Sequence, residues 1–117
     1  MITVQINLYI LTYNTLDRDF DVISLSKEKL KVPSKIIESS ETTIKEQLDS
    51  LFKTVTIDYS PIAYRLLNNI ILDSTYHSVY FCMIPSNIEI KDTVHNISVN
   101  KYAIHSPNIQ QILQKIR

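Results

Sequence analysis

Glu38, Glu41 and Asp49 fall within one short segment, VPSKIIESSETTIKEQLDSLFKTVTI, residues 32–57. Carboxylates gathered at a turn and along the helix that follows can hold a divalent cation, and the order of parts starts like a phosphate-handling site. The same segment argues against that chemistry. It contains no glycine, and the acids run out midway, where Ser50, Lys53 and Thr54 follow. The fixed ammonium of Lys53 repels a cation on the same helix face. The carboxylates amount at most to a weak cation site, and Glu41 is better explained as a favourable charge at a helix amino terminus.

Other chemistry-bearing residues are less suggestive. His77, His95 and His105 are far apart and lack the i, i+4 pairing of a zinc helix, so no histidine metal site is expected. Cys82 is the single cysteine and lies in the apolar run Tyr80-Phe81-Cys82-Met83-Ile84, where a thiol packs as a small hydrophobe. No glycine elbow is present to expose a serine nucleophile. The seven tyrosines could include a base-stacking platform, but most read as strand residues. Arg18 and Arg65 are scattered.

Composition narrows the class of partner. The chain has 117 residues, enough for one domain over 1–117 with one core. With 12 basic and 12 acidic residues interspersed, the formal net charge is zero, so neither nucleic acid nor an anionic membrane surface is expected as a partner. The amino-terminal residues lack a basic region, and no apolar run approaches about 18 residues, so a cytoplasmic protein is expected. Glycine is absent altogether, where typical usage of about 7% would supply roughly eight. Turns must then rely on Asn, Asp, Ser and Pro, and glycine-dependent phosphate loops are excluded.

The elements that position these residues alternate as an α+β chain. Ile2, Val4, Ile6, Leu8 and Ile10 alternate with polar neighbours and predict a half-buried strand. A turn over 14–19 and FDVISL at 20–25 predict its hairpin partner. YRLLNNIIL and YHSVYFCMI predict two further strands separated near Asp73-Ser74-Thr75, the second central because it is apolar on both faces. Ile44, Leu48, Leu51 and Val55 predict a helix over about 42–53, its Lys45, Glu46, Asp49 and Lys53 facing water, with Thr43 and Glu46 matching a capping box and Ser40 or Thr42 as other caps. Asp49 and Lys53 read as a surface pair worth about 0.3–0.5 kcal/mol. Ser106-Pro107 followed by Ile109, Ile112, Leu113 and Ile116 predicts a closing helix over about 106–116.

The segment 32–57 resembles the Nudix box, in which a glycine and a glutamate precede Arg-Glu-aliphatic-any-Glu-Glu-any-Gly-aliphatic. Val32-Pro33, Ile37-Glu38 and Glu41-Thr42 match the family's loop, and Leu51 and Ile57 fall on its aliphatic positions. The order of hairpin, box, strands and closing helix is similar too. The resemblance implies a Nudix-like α/β/α sandwich with a mixed sheet between helices. It also implies where chemistry is missing. The loop glycine falls on Lys35, the arginine on Asp49, the helix glutamates on Ser50, Lys53 and Thr54, and the last glycine on Thr56. The expectation is a catalytically inactive domain with no catalytic residue, metal or cofactor. It would act with other protein subunits as an interaction or structural component of a larger assembly, a virion component if the source is a phage. A non-hydrolysing sensor of a nucleotide or ADP-ribose-like ligand is the alternative, not favoured; a weak, divergent nucleoside diphosphate hydrolase using Glu38 and Glu41 is the third.

Overall fold

The computed structural model describes residues 3–37, 43–56 and 63–117. Glu38, Glu41, Ile57, the alternative caps Ser40 and Thr42, and the predicted break at Asp58-Tyr59-Ser60-Pro61 lie outside the described residues. Strand β1 (Thr3–Asn14) and strand β2 (Asp19–Ser24) form the predicted hairpin, with Leu11 opposite Val22 and Asn14 opposite Asp19. Strand β3 (Ser34–Ile37) was not expected. It pairs antiparallel with the first half of β1, on the same edge as β2 along the stretch β2 does not occupy, Val4 opposite Ile37 and Asn7 opposite Ser34. Its four residues carry no alternation because its side chains stay largely exposed, so the strand is held by main-chain pairing with β1.

Helix α1 (Ile44–Phe52) follows, then β4 (Arg65–Leu72), β5 (Thr75–Ile84), β6 (His95–Ser98), a short α2 (Val99–Tyr102) and α3 (Pro107–Ile116). The sheet order is β4-β5-β1-β2-β6, with β3 beside β1. Among the described residues only β1 and β5 run parallel, in register from Thr3 opposite Thr75 to Thr12 opposite Ile84, and the other pairs are antiparallel. The mixed sheet is therefore built around β1 and the central β5, whose two apolar faces the sequence had announced.

Alternation along β1 divides the core in two. Ile6, Leu8 and Ile10 join Ile23, Cys82 and Ile84 beneath Leu48, Leu51 and Phe52 of α1. Tyr9 and Leu11 join Val22, Val79 and Phe81 beneath Ile109, Ile112 and Leu113 of α3. One helix thus covers each face of the sheet, because side chains one residue apart on a strand point to opposite sides. Cys82 is buried in the first cluster, and burial pushes its thiol up to about 12, as suits an inert packing residue.

Both helix starts follow their sequence signals. Thr43 Oγ1 accepts from the Glu46 backbone at 3.1 Å, and Ser106 Oγ accepts from the Ile109 backbone at 3.3 Å ahead of Pro107. At the far end of α3, Arg117 reaches both carboxylate oxygens of Asp19 at 2.6 and 2.7 Å, tying the helix to the start of β2. Without glycine, the tight turns place Arg18, Asp73 and Ser74 at positive φ. Asp73 and Ser74 are the two central residues of the β4–β5 hairpin, an arrangement that matches the right-handed twist of its strands. Arg18 is an exception to the expected Asn, Asp and Ser.

Candidate functional site

Helix α1 and the segments flanking it are the place where the sequence suggested chemistry. The helix lies across β1 and β3 because Leu48, Leu51 and Val55 share one face, together with Phe52, which the predicted stripe omitted. Phe52 is 1% exposed and is among the largest buried side chains of the protein. Ile44 is 41% exposed, so the first residue of the predicted stripe is at the rim. The opposite face carries Lys45, Glu46, Ser50 and Lys53, all exposed.

Asp49 is half-buried and engaged on two sides. Lys45 Nζ reaches its Oδ2 at 3.1 Å, and the Tyr64 hydroxyl donates to its Oδ1 at 2.5 Å. The pair expected between Asp49 and Lys53 does not form. Side chains on a helix lean toward its amino terminus, so the short Asp49 carboxylate inclines toward Lys45 one turn earlier, while Lys53 stands at the carboxyl cap. The Tyr64 bond, opposed by partial burial and assisted by Lys45 and the nearby charge of Lys53, holds the Asp49 carboxyl below its ordinary value. Burial, and then the bond to Asp49, push the Tyr64 phenol well above its own.

A lowered carboxyl pKa stabilises the fold above the ordinary value of 3.8, and the stabilisation fades as the pH falls through the folded-state value. Tyr64→Phe removes the largest cause of that shift. It is expected to cost about 0.5–1 kcal/mol at neutral pH, discounted for solvent screening, and progressively less below about pH 3.8. Urea denaturation of both proteins across this range tests it; a cost that does not depend on pH would sink the assignment to Asp49.

The other residues that the sequence singled out are placed as follows. Lys35 is exposed on β3 opposite Ile6. Thr54 lies in the turn after α1, its hydroxyl donating to the Leu51 carbonyl at 2.6 Å. Thr56, which replaces a glycine of the box, is 3% exposed and bridges to Ile90 across the loop before β6. The structure therefore brings Asp49, Ser50, Lys53 and Thr54 together around the end of one helix, with Lys35 on the neighbouring strand. His77 approaches Asn7 at 3.5 Å on the sheet, while His95 begins β6 and His105 precedes α3. Among the described residues, no group of His, Cys, Asp and Glu side chains converges as a metal-ligand set. The groups at the box positions around the end of α1 do not suit a divalent cation: the Ser50 hydroxyl, the Lys53 ammonium, the Thr54 hydroxyl and the Asp49 carboxylate already shared by Lys45 and Tyr64, while Glu46 lies a turn earlier.

Sequence reasoning held Tyr64 only as one of seven tyrosines that could stack on a base and missed its bond to Asp49, because the two residues are 15 apart and nothing local marks them as neighbours. With Tyr80, Ala63, Ile44, Lys45 and Leu48, Tyr64 lines a cleft of about 290 Å³ beside α1. Two aromatic rings and an aliphatic floor make this cleft suited to a flat, largely apolar ligand group. Arg65 lies elsewhere, its guanidinium 5.2 Å above the Phe81 ring, and Arg18 is in the β1–β2 turn.

No protein-family model and no curated protein matches the chain. Solved structures do. A mutT/nudix family protein from Listeria innocua superimposes with a TM-score of 0.73 at 9% identity, over 97% of this chain and 92% of that one. The NUDIX domain of Shewanella oneidensis NrtR, complexed with ADP ribose, gives a TM-score of 0.72 at 12% identity over 100% and 90% of the two chains. The C-terminal domain of mouse MUTYH, in complex with human PCNA, gives 0.71 at 11% identity over 99% and 88%. At such identities the likeness is one of architecture. No helix among the described residues is long and apolar enough to cross a membrane. A mixed sheet built around β1, a helix on each face and superposition over essentially the whole chain together show that this protein has a Nudix-like fold.

Proposed function

We propose that the chain is a Nudix-like domain without hydrolytic activity, acting as a protein-interaction or structural subunit of a larger assembly. The observation that carries this reading is the state of α1. Lys53 stands at its carboxyl end where the box alignment calls for a carboxylate, and Asp49 is committed to Lys45 and Tyr64. A cation held there would have to overcome the ammonium and displace two existing partners. That the MUTYH domain of the same fold was solved with PCNA supports a role in binding protein. A cytoplasmic setting, or a virion if the source is a phage, is part of the same proposal.

The experiment is a phosphatase-coupled phosphate-release assay with magnesium or manganese and a panel of nucleoside diphosphate compounds, ADP-ribose included. The protein is expected to release nothing above the substrate-and-metal blank. Metal-dependent turnover that falls at least tenfold in Glu41→Gln would overturn the reading in favour of a divergent hydrolase using Glu38 and Glu41.

A second reading has its own observation. The cleft beside Tyr64 and Tyr80, and the ADP ribose bound to the NrtR domain, favour a sensor that holds a nucleotide-like ligand without cleaving it. Titration calorimetry of ADP-ribose in the same protein separates the two: micromolar binding without turnover supports the sensor, and no heat of binding removes it.

A further inference from the structure

Strand β4 is the outermost strand of the sheet, and among the described residues no strand pairs with its outer edge. An eight-residue edge is long for an unprotected one, and β4 lacks the usual protection. It contains no Lys, no Pro and no acid, and its single charge, Arg65 at one end, is drawn back over Phe81. Its irregularity lies between Leu66 and Asn68, so the ladder from Asn68 to Leu72 is regular and its outer backbone groups are evenly presented. The side chains there are apolar and open to water: Leu66 is 50% exposed, Ile70 52%, Ile71 64% and Leu72 57%. Leu16 and Ile104 are more exposed still but stand singly in turns, which needs no explanation.

We infer that this edge is a self-association surface, on which β4 of a second copy pairs antiparallel about a two-fold axis at Ile70. The inference names a partner for the interaction role proposed above and rests on that role, not on the absence of hydrolysis. Charge and symmetry select a second copy. The regular stretch offers only aliphatic and amide side chains, so no charge selects a different chain, and a formal net charge of zero leaves two copies without long-range repulsion.

Alternation fixes the register. Asn68, Ile70 and Leu72 share the α3 face, paired with Val79, His77 and Thr75 of β5, while Asn69 and Ile71 share the other, paired with Ser78 and Tyr76. Opposed residues of an antiparallel pair point to the same face, so the axis must pass through a residue, and Ile70 is the midpoint of the stretch. Ile70 then faces its own counterpart, Asn69 faces Ile71 of the second copy, and Asn68 faces Leu72. The Arg65 side chains lie at opposite ends. The exposed aliphatic side chains fall on both faces, Ile70 and Leu72 on one and Ile71 on the other, so pairing covers part of two short rows and stays below the ~1,200 Å² at which specific interfaces begin. The dimer is accordingly expected to be weak, with a dissociation constant on the order of 10 µM.

Sedimentation equilibrium from about 1 to 300 µM tests this. The mass is expected to rise from 13.6 kDa toward twice that value. Ile70→Lys and Ile70→Asp, each placing like charges directly opposite one another, are expected to weaken association at least tenfold. Mixed together, the two variants are expected to associate again as a heterodimer. Because Ile70 is half-exposed, both should fold; amide exchange in the unaltered protein supplies a reading independent of them, with protection of β4 rising with concentration. A monomer at every concentration, a dimer indifferent to Ile70, or variants that stay apart when mixed would each overturn the inference. A monomer whose β4 is protected only when another protein of the assembly is added would overturn self-pairing and leave the interaction role standing.

Discussion

Phe52→Ala is expected to destabilise the protein by about 3–5 kcal/mol, whereas Ile44→Ala should cost less than about 1 kcal/mol. Both residues lie on α1, and in the sequence Ile44 looks the better core candidate, being in phase with Leu48 and Leu51. The structure reverses their order. Phe52 is 1% exposed within the cluster of Ile6, Leu8 and Ile10, so truncation removes a large apolar surface from contact and leaves a cavity that a close-packed sheet cannot collapse to fill. Ile44 is 41% exposed at the rim of the cleft and already loses little to water. Against a total stability of about 5–15 kcal/mol for a domain, the Phe52 variant would be close to unfolding. Urea denaturation, with the slope checked for constancy, measures both; equal costs would show that α1 sits differently on the sheet.

Replacing Ser50, Lys53 and Thr54 together by glutamate is expected to give α1 an affinity for manganese that the natural sequence lacks, with a dissociation constant of roughly 0.1–1 mM. The three side chains are exposed and succeed one another at i, i+3 and i+4, so the substituted carboxylates would converge on one side of the helix end. Lys53→Glu contributes most, since it removes a repelling charge and adds an attracting one. The change carries a cost in the absence of metal. Carboxylates at a helix carboxyl end oppose its dipole, by about 0.3–1 kcal/mol each, and Thr54 loses its bond to the Leu51 carbonyl. Thermal melts with and without manganese should therefore show a destabilised variant that the metal partly rescues, while the natural protein is unmoved. If the triple variant gains no affinity, the box alignment onto α1 is wrong and the argument for lost catalysis goes with it.

Much of the architecture was legible because it rests on local pattern. Period-two alternation marked β1, a run apolar on both faces marked β5, helical spacing and caps marked α1 and α3, and Asp73-Ser74 marked the hairpin between β4 and β5. The misses share a cause. Strand β3 and strand β6 are four residues each, too short to show a period, and exist because longer neighbours offer them a ladder. Phe52 falls beside the predicted stripe, and only its packing against Ile6, Leu8 and Ile10 of the sheet covers it. Asp49 was assigned to Lys53 by spacing alone, yet its strongest partner, Tyr64, comes from outside the helix.

The sequence by itself determined the kind of fold, one helix on each face of a mixed sheet, and the substitutions along the box helix: Ser50, Lys53 and Thr54 are what they are before any chain folds. It also determined that tight turns would place side-chain-bearing residues at positive φ, because glycine is absent. Only the tertiary structure decided which carboxylate is engaged and by whom, and that the run of aliphatic residues in β4 ends at a free sheet edge. In the sequence, Leu66, Leu67, Ile70, Ile71 and Leu72, interrupted by Asn68 and Asn69, read as the apolar residues of a covered strand. Burial is not a property of a strand but of what lies beside it, and here β5 covers one edge while the other, among the described residues, has no strand on it.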